Sequence, residues 1–429
     1  MTSAAGILLF AFLIVFLLMG VPISIVLGLC AIIGAYFSNI PLPILAEKIV
    51  SALNPASGSP LMAIPFFLLA GNLMSESGIS KKLILFINSF AGKTQGGLNY
   101  AAVLACALFS SLAGAAPITV IAVGSILYAE MIALGYPKAR SAGLFTAAGS
   151  LGSIIPPSII MMVYANISKV PISDLFISGA GIGIILTAVF MIICFFIAKK
   201  DNLPKNAQPF IFSDFIKSFI SVLPALFIPI IIFGGIYSKL LTPLGAGAIA
   251  SIYAILIGIF IYKSLNIKKI KDSFINSVQG SVMILFIVAA ASAFSFVFQK
   301  SMLSASLGNF INTLNLSPTL FLVLCAIIVI IAGTIIDGAA ICVLLVPALG
   351  AIAQSLAISM VHFGMIICIG AVLGSMTPPV AVSIFAAKTF SNLKIGEIVK
   401  GQMPFFIGFC IVYIMIVIFP FFSEFLLKK

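Results

Sequence analysis

Long apolar runs alternate with short basic segments along almost the whole chain. The hydrocarbon core of a bilayer is crossed by about 20 apolar residues of α-helix, and runs of that length occupy residues 175–198, 219–237, 246–262, 274–298 and 404–427. The apolar stretch between Lys82 and Lys93 has only about a dozen residues, so it is expected to lie along the membrane interface. The pattern predicts an all-α protein with many membrane-spanning helices.

Two parts of the chain interrupt the apolar pattern with glycines, prolines and small hydroxyl residues. In the first part the interruptions fall at residues 110–116 and 152–157, and in the second at residues 333–337 and 374–379. Lipid cannot satisfy the backbone groups that a broken helix exposes. Each part is therefore predicted to form a re-entrant helical hairpin followed by a broken transmembrane helix.

The two interrupted parts are related by sequence. Residues 151–157 read LGSIIPP and residues 373–379 read LGSMTPP, which gives five identities in seven positions at an offset of 222 (373 − 151). The same offset pairs Gly179 with Gly401. Orientation inferred from the basic loops places the two copies upside down relative to each other. Inverted repeats with broken helices are typical of secondary transporters, although glycine and proline could also kink two unrelated helices.

Composition and charge agree with a membrane protein. The chain of 429 residues is 62% hydrophobic and 7% charged, whereas about a quarter of a soluble chain is charged. Its 22 Lys and Arg against 10 Asp and Glu lie mostly between apolar runs. This excess is better explained by orientation in the membrane than by nucleic-acid binding. The seven cysteines form no metal-binding pattern, so neither metal nor disulfide is expected.

The sequence has no motif that would indicate an enzyme. It contains no His-Glu-x-x-His, no Gly-x-Ser-x-Gly and no P-loop, the motifs of zinc proteases, serine hydrolases and NTPases. Uphill transport by such a chain would have to use an ion gradient, and no cofactor other than the coupling ion is expected. Backbone carbonyls and hydroxyls at helix breaks are the oxygen ligands that suit a hard cation such as sodium.

Two sets of cation ligands are predicted, one for each hairpin and its broken helix. The first set comprises Ser110, Ser111, Gly114, Gly152, Ser153 and Pro156. The second set comprises Gly333, Thr334, Asp337, Gly374, Thr377 and Pro378. Because prolines donate no backbone N–H, carbonyls one turn earlier are expected to be free to coordinate.

Four other polar residues have alternative interpretations. Asp337 lies deep in an apolar run, which suggests a functional carboxylate, but it also precedes Gly338 as a helix N-cap would; the two roles are compatible. Arg140, the single arginine of the sequence, could meet a carboxylate substrate, but a cytoplasmic anchor is favoured. His362 is expected to be structural or interfacial, and Glu130 interfacial.

An ordered set of motifs resembles a known family. These motifs are IPFFLLAGN at 64–72, FSSLAG at 109–114, IPPS at 155–158, AGTIID at 332–337 and TPPV at 377–380. Together they resemble the large membrane subunit of tripartite ATP-independent periplasmic (TRAP) transporters. The family often has a further serine after the glycine of the first tip, where this chain has Ala115 and Ala116. One hydroxyl ligand is therefore missing or replaced by a carbonyl.

The resemblance implies a sodium-driven importer of organic acids, such as C4-dicarboxylates, sialic acid or other sugar acids, in the bacterial inner membrane. It implies two partners, a small four-helix membrane subunit and a periplasmic substrate-binding protein. It also implies an elevator movement, in which a transport domain moves against a scaffold. The transport domain would comprise residues 98–173 and 319–390, and the scaffold residues 1–97, 174–318 and 391–429.

Two alternatives remain. One is a stand-alone sodium/carboxylate symporter of related architecture. The other is a non-transporting structural or proton-channel subunit, which would need a chain of buried ionisable residues across the membrane; in this sequence Asp337 is essentially alone at that depth. The residues that contact the substrate cannot be read from the sequence, because backbone N–H groups can bind an anion without any side-chain pattern.

Overall fold

The computed structural model describes residues 11–13, 15–17, 19–53, 59–91, 94–205, 211–300, 316–379 and 381–427, and within these ranges the structure is helical throughout, without a strand. Up to residue 200 the helices are α1 (Ile23–Phe37), α2 (Leu42–Leu53), α3 (Ile64–Glu76), α4 (Ile79–Ala91), α5 (Gly97–Ala113), α6 (Ala116–Ala133), α7 (Lys138–Ser150), α8 (Ile159–Ser168) and α9 (Ile172–Lys200).

The second half of the chain continues in the same way. Its helices are α10 (Phe212–Tyr237), α11 (Pro243–Leu256), α12 (Ile267–Lys300), α13 (Pro318–Gly333), α14 (Gly338–Ser355), α15 (Met360–Ser375), α16 (Val382–Ser391), α17 (Ile395–Ile418) and the short α18 (Phe421–Glu424). Residues 301–315, between α12 and α13, lie outside the described residues.

Seven of the described helices are long and apolar enough to cross a membrane. They are α6, α9, α10, α11 with its π-helical extension to Ile261, α12, α14 and α17. An eighth span is possible if α3 and α4 count as one, although the chain bends by 66° between them. The prediction of a polytopic all-α membrane protein is confirmed. Because of the bend, the short α4 does not continue in the direction of α3.

Both predicted hairpins are present. The first consists of α5 and α6, whose tip turns at Gly114 with a φ of +67°, a left-handed conformation that glycine adopts without steric penalty. The second consists of α13 and α14, joined by residues 334–337. Each second arm begins with a stabilised N-terminus: α6 has a proline in its first turn, and α14 is capped by Asp337.

Both predicted broken helices are present as well. The helix α7 tightens into a 3₁₀ turn at Leu151–Ser153 and stops before Pro156, and α8 resumes at Ile159. The helix α15 stops at Ser375 before Pro378, and α16 resumes at Val382. Proline lacks the N–H and its ring clashes with the preceding turn, so neither helix can continue through its proline pair.

The helix boundaries support the internal repeat. The starts of α6 and α14 (116 and 338) and of α7 and α15 (138 and 360) are 222 positions apart. The contacts are also reciprocal: α7 packs on α17 and α15 on α9, while α6 packs on α16 and α14 on α8. Such an exchange of contacts is what a two-fold relation between the repeats would produce. Their opposite orientation in the membrane stays a prediction.

The predicted pairing of Gly179 with Gly401 is wrong by one residue. The starts of α8 and α16 (159 and 382) and of α9 and α17 (172 and 395) are 223 positions apart. One extra residue therefore enters the second repeat between its proline pair and α16. The eighth residue of α9 is Gly179, and the eighth residue of α17 is Gln402.

Most of the helices pack in two groups, which meet where α12 contacts α14 and where α4 contacts both α5 and α10. The first contains α1, α2 and α3 on α12, with α10 and α11 alongside. The second contains both hairpins and both broken helices together with α9 and α17. The predicted scaffold membership of α9 and α17 concerns movement and stays a prediction. In the structure both helices contact the broken helices, α17 more extensively than α9.

Where α7 and α17 cross, their backbones are in direct contact. A Cβ atom added to Gly401 would overlap the carbonyl oxygen of Ala139, and one added to Gly143 would overlap the backbone of Gln402. Small residues allow such close approach between helices in membranes, where packing rather than the hydrophobic effect drives association. This crossing joins the broken helix of the first repeat to the last span.

Replacing Gly401 by alanine is expected to destabilise the protein by about 1–3 kcal/mol, the usual range for overpacking. The matched control is Gly396→Ala on the same helix, where nothing lies within 4 Å of an added Cβ and where alanine favours the helix. Because the sequence has no tryptophan and six of its seven cysteines are buried, a thiol-reactive dye reports unfolding of the detergent-solubilised protein. Equal melting temperatures for both variants would contradict the crossing.

Candidate functional site

The tip of the first hairpin meets the break of the first broken helix through backbone contacts. The N–H of Ala116 donates to the hydroxyl oxygen of Ser153 at 3.1 Å. A Cβ on Gly152 would lie 2.8 Å from the Ala115 carbonyl oxygen, and one on Gly114 would lie 2.8 Å from the Pro157 carbonyl oxygen. The two elements are predicted from the sequence to face each other, and the structure brings them together.

The two tip serines are buried and bonded within their own helix. The hydroxyl of Ser110 donates to the Cys106 carbonyl at 2.6 Å, and that of Ser111 donates to the Leu108 carbonyl at 2.7 Å. A serine hydroxyl has one proton and two lone pairs. Its oxygen therefore keeps lone pairs for a cation after the proton is used, so these bonds are compatible with the predicted ligand role.

The carbonyls expected to be free at the first break are not all free. The hydroxyl of Ser158 donates to the Ser153 carbonyl at 2.6 Å and also accepts the N–H of Met161 at 3.4 Å as the N-cap of α8. Ser158 was not among the predicted site residues, although it ends the IPPS motif. It replaces the backbone donor that Pro157 lacks, and so it fixes the shape of the break.

The second hairpin and its broken helix meet even more closely. A Cβ on Gly374 would lie 2.6 Å from the Ile330 carbonyl oxygen and 2.7 Å from the Cα of Gly333. Beside this contact, the Thr377 hydroxyl donates to the Gly374 carbonyl at 2.6 Å, and the Thr334 hydroxyl donates to the Ile331 carbonyl at 2.8 Å. Four of the predicted residues are thus grouped at one junction.

Asp337 has the capping role that sequence analysis considered. Its carboxylate Oδ2 accepts the N–H of Ala339 at 2.9 Å, at the start of α14. The residue is exposed in the isolated chain, whereas its neighbour Gly338 is buried. The carboxylate therefore lies beside the second tip, and its role as a cation ligand stays a prediction.

Arg140 and His362 both have protein partners. The Nε of Arg140 lies 3.6 Å from Oδ2 of Asp201, which joins the start of α7 to the end of α9. The Nδ1 of His362 lies 2.7 Å from the Ser423 hydroxyl oxygen. The His362 contact fits the structural role expected from the sequence, whereas the position of Arg140 as a cytoplasmic anchor stays a prediction. Glu130 is exposed near the end of α6, and nothing tests its predicted interfacial position.

Gln402 is a polar residue at the second junction that sequence analysis missed. Its side chain is 2% exposed, and its amide Nε2 donates to the Met376 carbonyl at 2.7 Å. Met376 lies between Gly374 and Thr377 in the break. The sequence offered one weak signal, a glutamine close to the basic start of the last apolar run.

A cleft of about 570 Å³ runs beside the first junction, between α4, α5, α9 and α10. Ser111 and Ile155 form part of its wall, and most of the remaining lining is aliphatic or aromatic, including Leu104, Ile184 and Phe233. The hydroxyl protons of Ser111 and Thr187 are already donated to helix carbonyls. Among the described residues, the lining of the cleft therefore offers no charged or free donor group to an organic acid.

The described residues contain no group of three His, Cys, Asp or Glu side chains that could hold a metal ion. Transition metals generally require such nitrogen, sulfur or carboxylate ligands. The two junctions instead present hydroxyl and carbonyl oxygens, which suit a hard cation.

The sequence matches the family described as tripartite ATP-independent periplasmic transporter, DctM component, over residues 10–422. The C4-dicarboxylate TRAP transporter large permease protein DctM of Pseudomonas aeruginosa is 36% identical over 361 residues, which are 84% of this chain and 84% of the relative. The sialic acid TRAP transporter large permease protein SiaM of Vibrio cholerae is 28% identical over 366 residues, 85% of each chain.

Among solved structures, the YdaH transporter of Alcanivorax borkumensis has a similar fold, with a TM-score of 0.63 at 15% sequence identity over 88% of each chain. At this identity the likeness concerns the fold alone. The match to the family covers nearly the whole sequence, including both hairpins and both broken helices. This chain therefore belongs to the DctM family, as a large permease component of the TRAP transporters and a multi-pass protein of the inner membrane, not an enzyme.

Proposed function

We propose that this chain is the permease subunit that imports an organic acid by sodium symport. The observation that carries the proposal is the pair of junctions, each made by a hairpin tip and a broken helix in related positions of the two repeats. Secondary transporters place substrate and ion sites near the membrane midplane, at the interface between repeats and at broken helices. The family description adds that the transporter is independent of ATP.

The chemistry of the junctions favours a hard monovalent cation. The first contributes hydroxyls of Ser110, Ser111 and Ser153, and the second those of Thr334 and Thr377. Uncharged oxygens can replace the hydration shell of a monovalent ion, whereas Ca²⁺ sites in proteins generally include carboxylates. Each junction is proposed to hold one sodium ion between its tip and its break, with the substrate between the two junctions.

The substrate is proposed to be an organic acid because relatives are named for C4-dicarboxylate and for sialic acid, which are both carboxylates. The helices α6 and α14 begin at the two tips, and helix N-termini attract anions through their unpaired N–H groups. The first-turn N–H groups of Ala116 and Ala339 already have protein partners. In α6 the N–H of Ile118 is left to bind the carboxylate, because Pro117 has no N–H and that of Thr119 donates to the Ala115 carbonyl at 3.3 Å. In α14 the Asp337 side chain occupies the first N–H groups, so that helix is not proposed as an anion site.

The proposed movement is of the elevator type, with both hairpins and both broken helices moving together against the first group of helices. Their mutual packing supports a single body, because α16 contacts α6 and α7, and α14 contacts α8. The tripartite description of the family supports two partners, proposed to be a small four-helix membrane subunit and a periplasmic binding protein. Membrane lipid surrounds the spans.

Replacing external sodium by potassium is expected to reduce substrate uptake to the level of empty vesicles. The measurement uses proteoliposomes that contain this chain with its small membrane subunit and are supplied with the cognate binding protein. Potassium keeps the ionic strength constant, so electrostatic screening does not change. Uptake that continues at the same rate without sodium would overturn the proposal.

Thr377→Ala and Ser111→Ala are expected to raise the sodium concentration needed for half-maximal uptake. The loss of one ordinary polar contact of about 1 kcal/mol corresponds to about a fivefold change. Thr389→Ala is the matched control, because its hydroxyl also donates to a carbonyl of its own helix, that of Ala386 at 2.7 Å, but lies outside both junctions. If all three variants titrate like the wild type, these hydroxyls are not ligands.

A further inference from the structure

The second helix break is held by a side chain from another helix. The amide of Gln402 on α17 donates to the Met376 carbonyl at 2.7 Å. The peptide N–H that follows this carbonyl, that of Thr377, donates to the Gly374 carbonyl at 2.9 Å. The Met376–Thr377 peptide group is therefore fixed at both ends, and its orientation sets the position of Thr377.

The direction of the Gln402 amide follows from chemistry. Only the NH₂ end can face the Met376 carbonyl, because two oxygens without a proton between them repel each other. The oxygen Oε1 therefore points elsewhere, and it is buried without a hydrogen-bond partner among the described residues. The hydrogen bond that the structure gives this side chain is the one that Nε2 donates.

The first repeat has no equivalent side chain. Gly179 occupies the position on α9 that Gln402 occupies on α17, the eighth residue of the helix. A Cβ on Gly179 would lie 2.7 Å from the carbonyl oxygen of Ile154, which corresponds to Met376 at the offset of 222. In the first repeat this carbonyl, that of Ile154, is approached by the backbone of a glycine. In the second repeat the corresponding carbonyl, that of Met376, accepts a hydrogen bond from a side-chain amide.

We propose that Gln402 is a positioning residue for the cation site at the second junction. By holding the Met376 carbonyl it keeps the Gly374 carbonyl and the Thr377 hydroxyl in the arrangement that binds the ion. The two junctions then differ in rigidity, and only the second depends on a side chain of the last span. This inference rests on the proposed function, because it requires that the second junction binds sodium.

Gln402→Met preserves the length of the side chain and removes the donor. The purified chain is heated in detergent with sodium chloride or, at equal concentration, potassium chloride, and uptake is titrated with sodium in proteoliposomes with both partners. The variant is expected to need about fivefold more sodium for half-maximal stabilisation and uptake, the equivalent of one ordinary hydrogen bond. In potassium its melting temperature should fall modestly, because the buried Met376 carbonyl is left without its donor. The sodium titration is therefore the readout that tests the proposal.

Two further variants keep the inference testable. Gln354→Met replaces an exposed amide on α14 and should titrate like the wild type. Gln402→Asn keeps an amide that is one methylene too short to reach Met376, so it should resemble Gln402→Met even if that variant accumulates poorly. At saturating sodium, the substrate concentration for half-maximal uptake should not change in either Gln402 variant, as expected for a residue that acts through the ion.

The outcomes separate this inference from the proposed function. If the wild type shows no sodium-specific stabilisation and no sodium-dependent uptake, the proposed function fails. If the wild type responds to sodium and Gln402→Met and Gln402→Asn titrate identically to it, Gln402 does not position the site. A lower melting temperature in potassium, with an unchanged sodium titration, would assign the residue a structural role only and would also overturn the inference.

Discussion

The backbone hydrogen bonds of interrupted helices are the constraint on which this structure depends. In a bilayer, lipid cannot satisfy an exposed N–H or carbonyl group, so a helix that stops inside the membrane must be met by protein, water or an ion. This chain stops helices at two hairpin tips and two proline pairs. Each tip lies against a break, and the polar groups of both are collected at the same place.

Glycine makes these junctions possible. Gly152 approaches the Ala115 carbonyl at the first, and Gly333 and Gly374 approach each other at the second. Any side chain at these positions would separate tip from break and would leave the backbone groups of both without partners. The same small residues that look like interruptions in the apolar pattern are therefore what allows the interrupted helices to pack.

Most of the fold could be predicted from the sequence, because breaks are conspicuous in an apolar chain. The paired LGS-x-x-PP motifs located both broken helices, and the spacing of Gly and Pro located both hairpin tips. The register after the second proline pair was wrong because one extra residue entered there, and no short motif marks an insertion. The opposite orientation of the repeats is still supported by the basic loops alone.

The finer structure of the site was harder to predict, because it depends on contacts between distant parts of the chain. The Ser158 hydroxyl donates to the Ser153 carbonyl, which proline was expected to leave free. The sequence cannot show which hydroxyl will donate to such a carbonyl. Gln402 reaches Met376 from another helix, so its role has no local signature. Asp337 was recognised as a possible N-cap because capping is a local interaction, fixed by residues close in sequence.

The neighbouring residues Gly401 and Gln402 link the two repeats. Gly401 lets α17 lie against the backbone of α7, the first half of the broken helix in the first repeat. Gln402, one residue later, holds the break in the second repeat. Since a single turn of α17 makes both contacts, a displacement of this turn would change its packing on α7 and would also move the donor that fixes the Met376 carbonyl. The packing of the first broken helix and the geometry of the second junction are thus physically connected through α17.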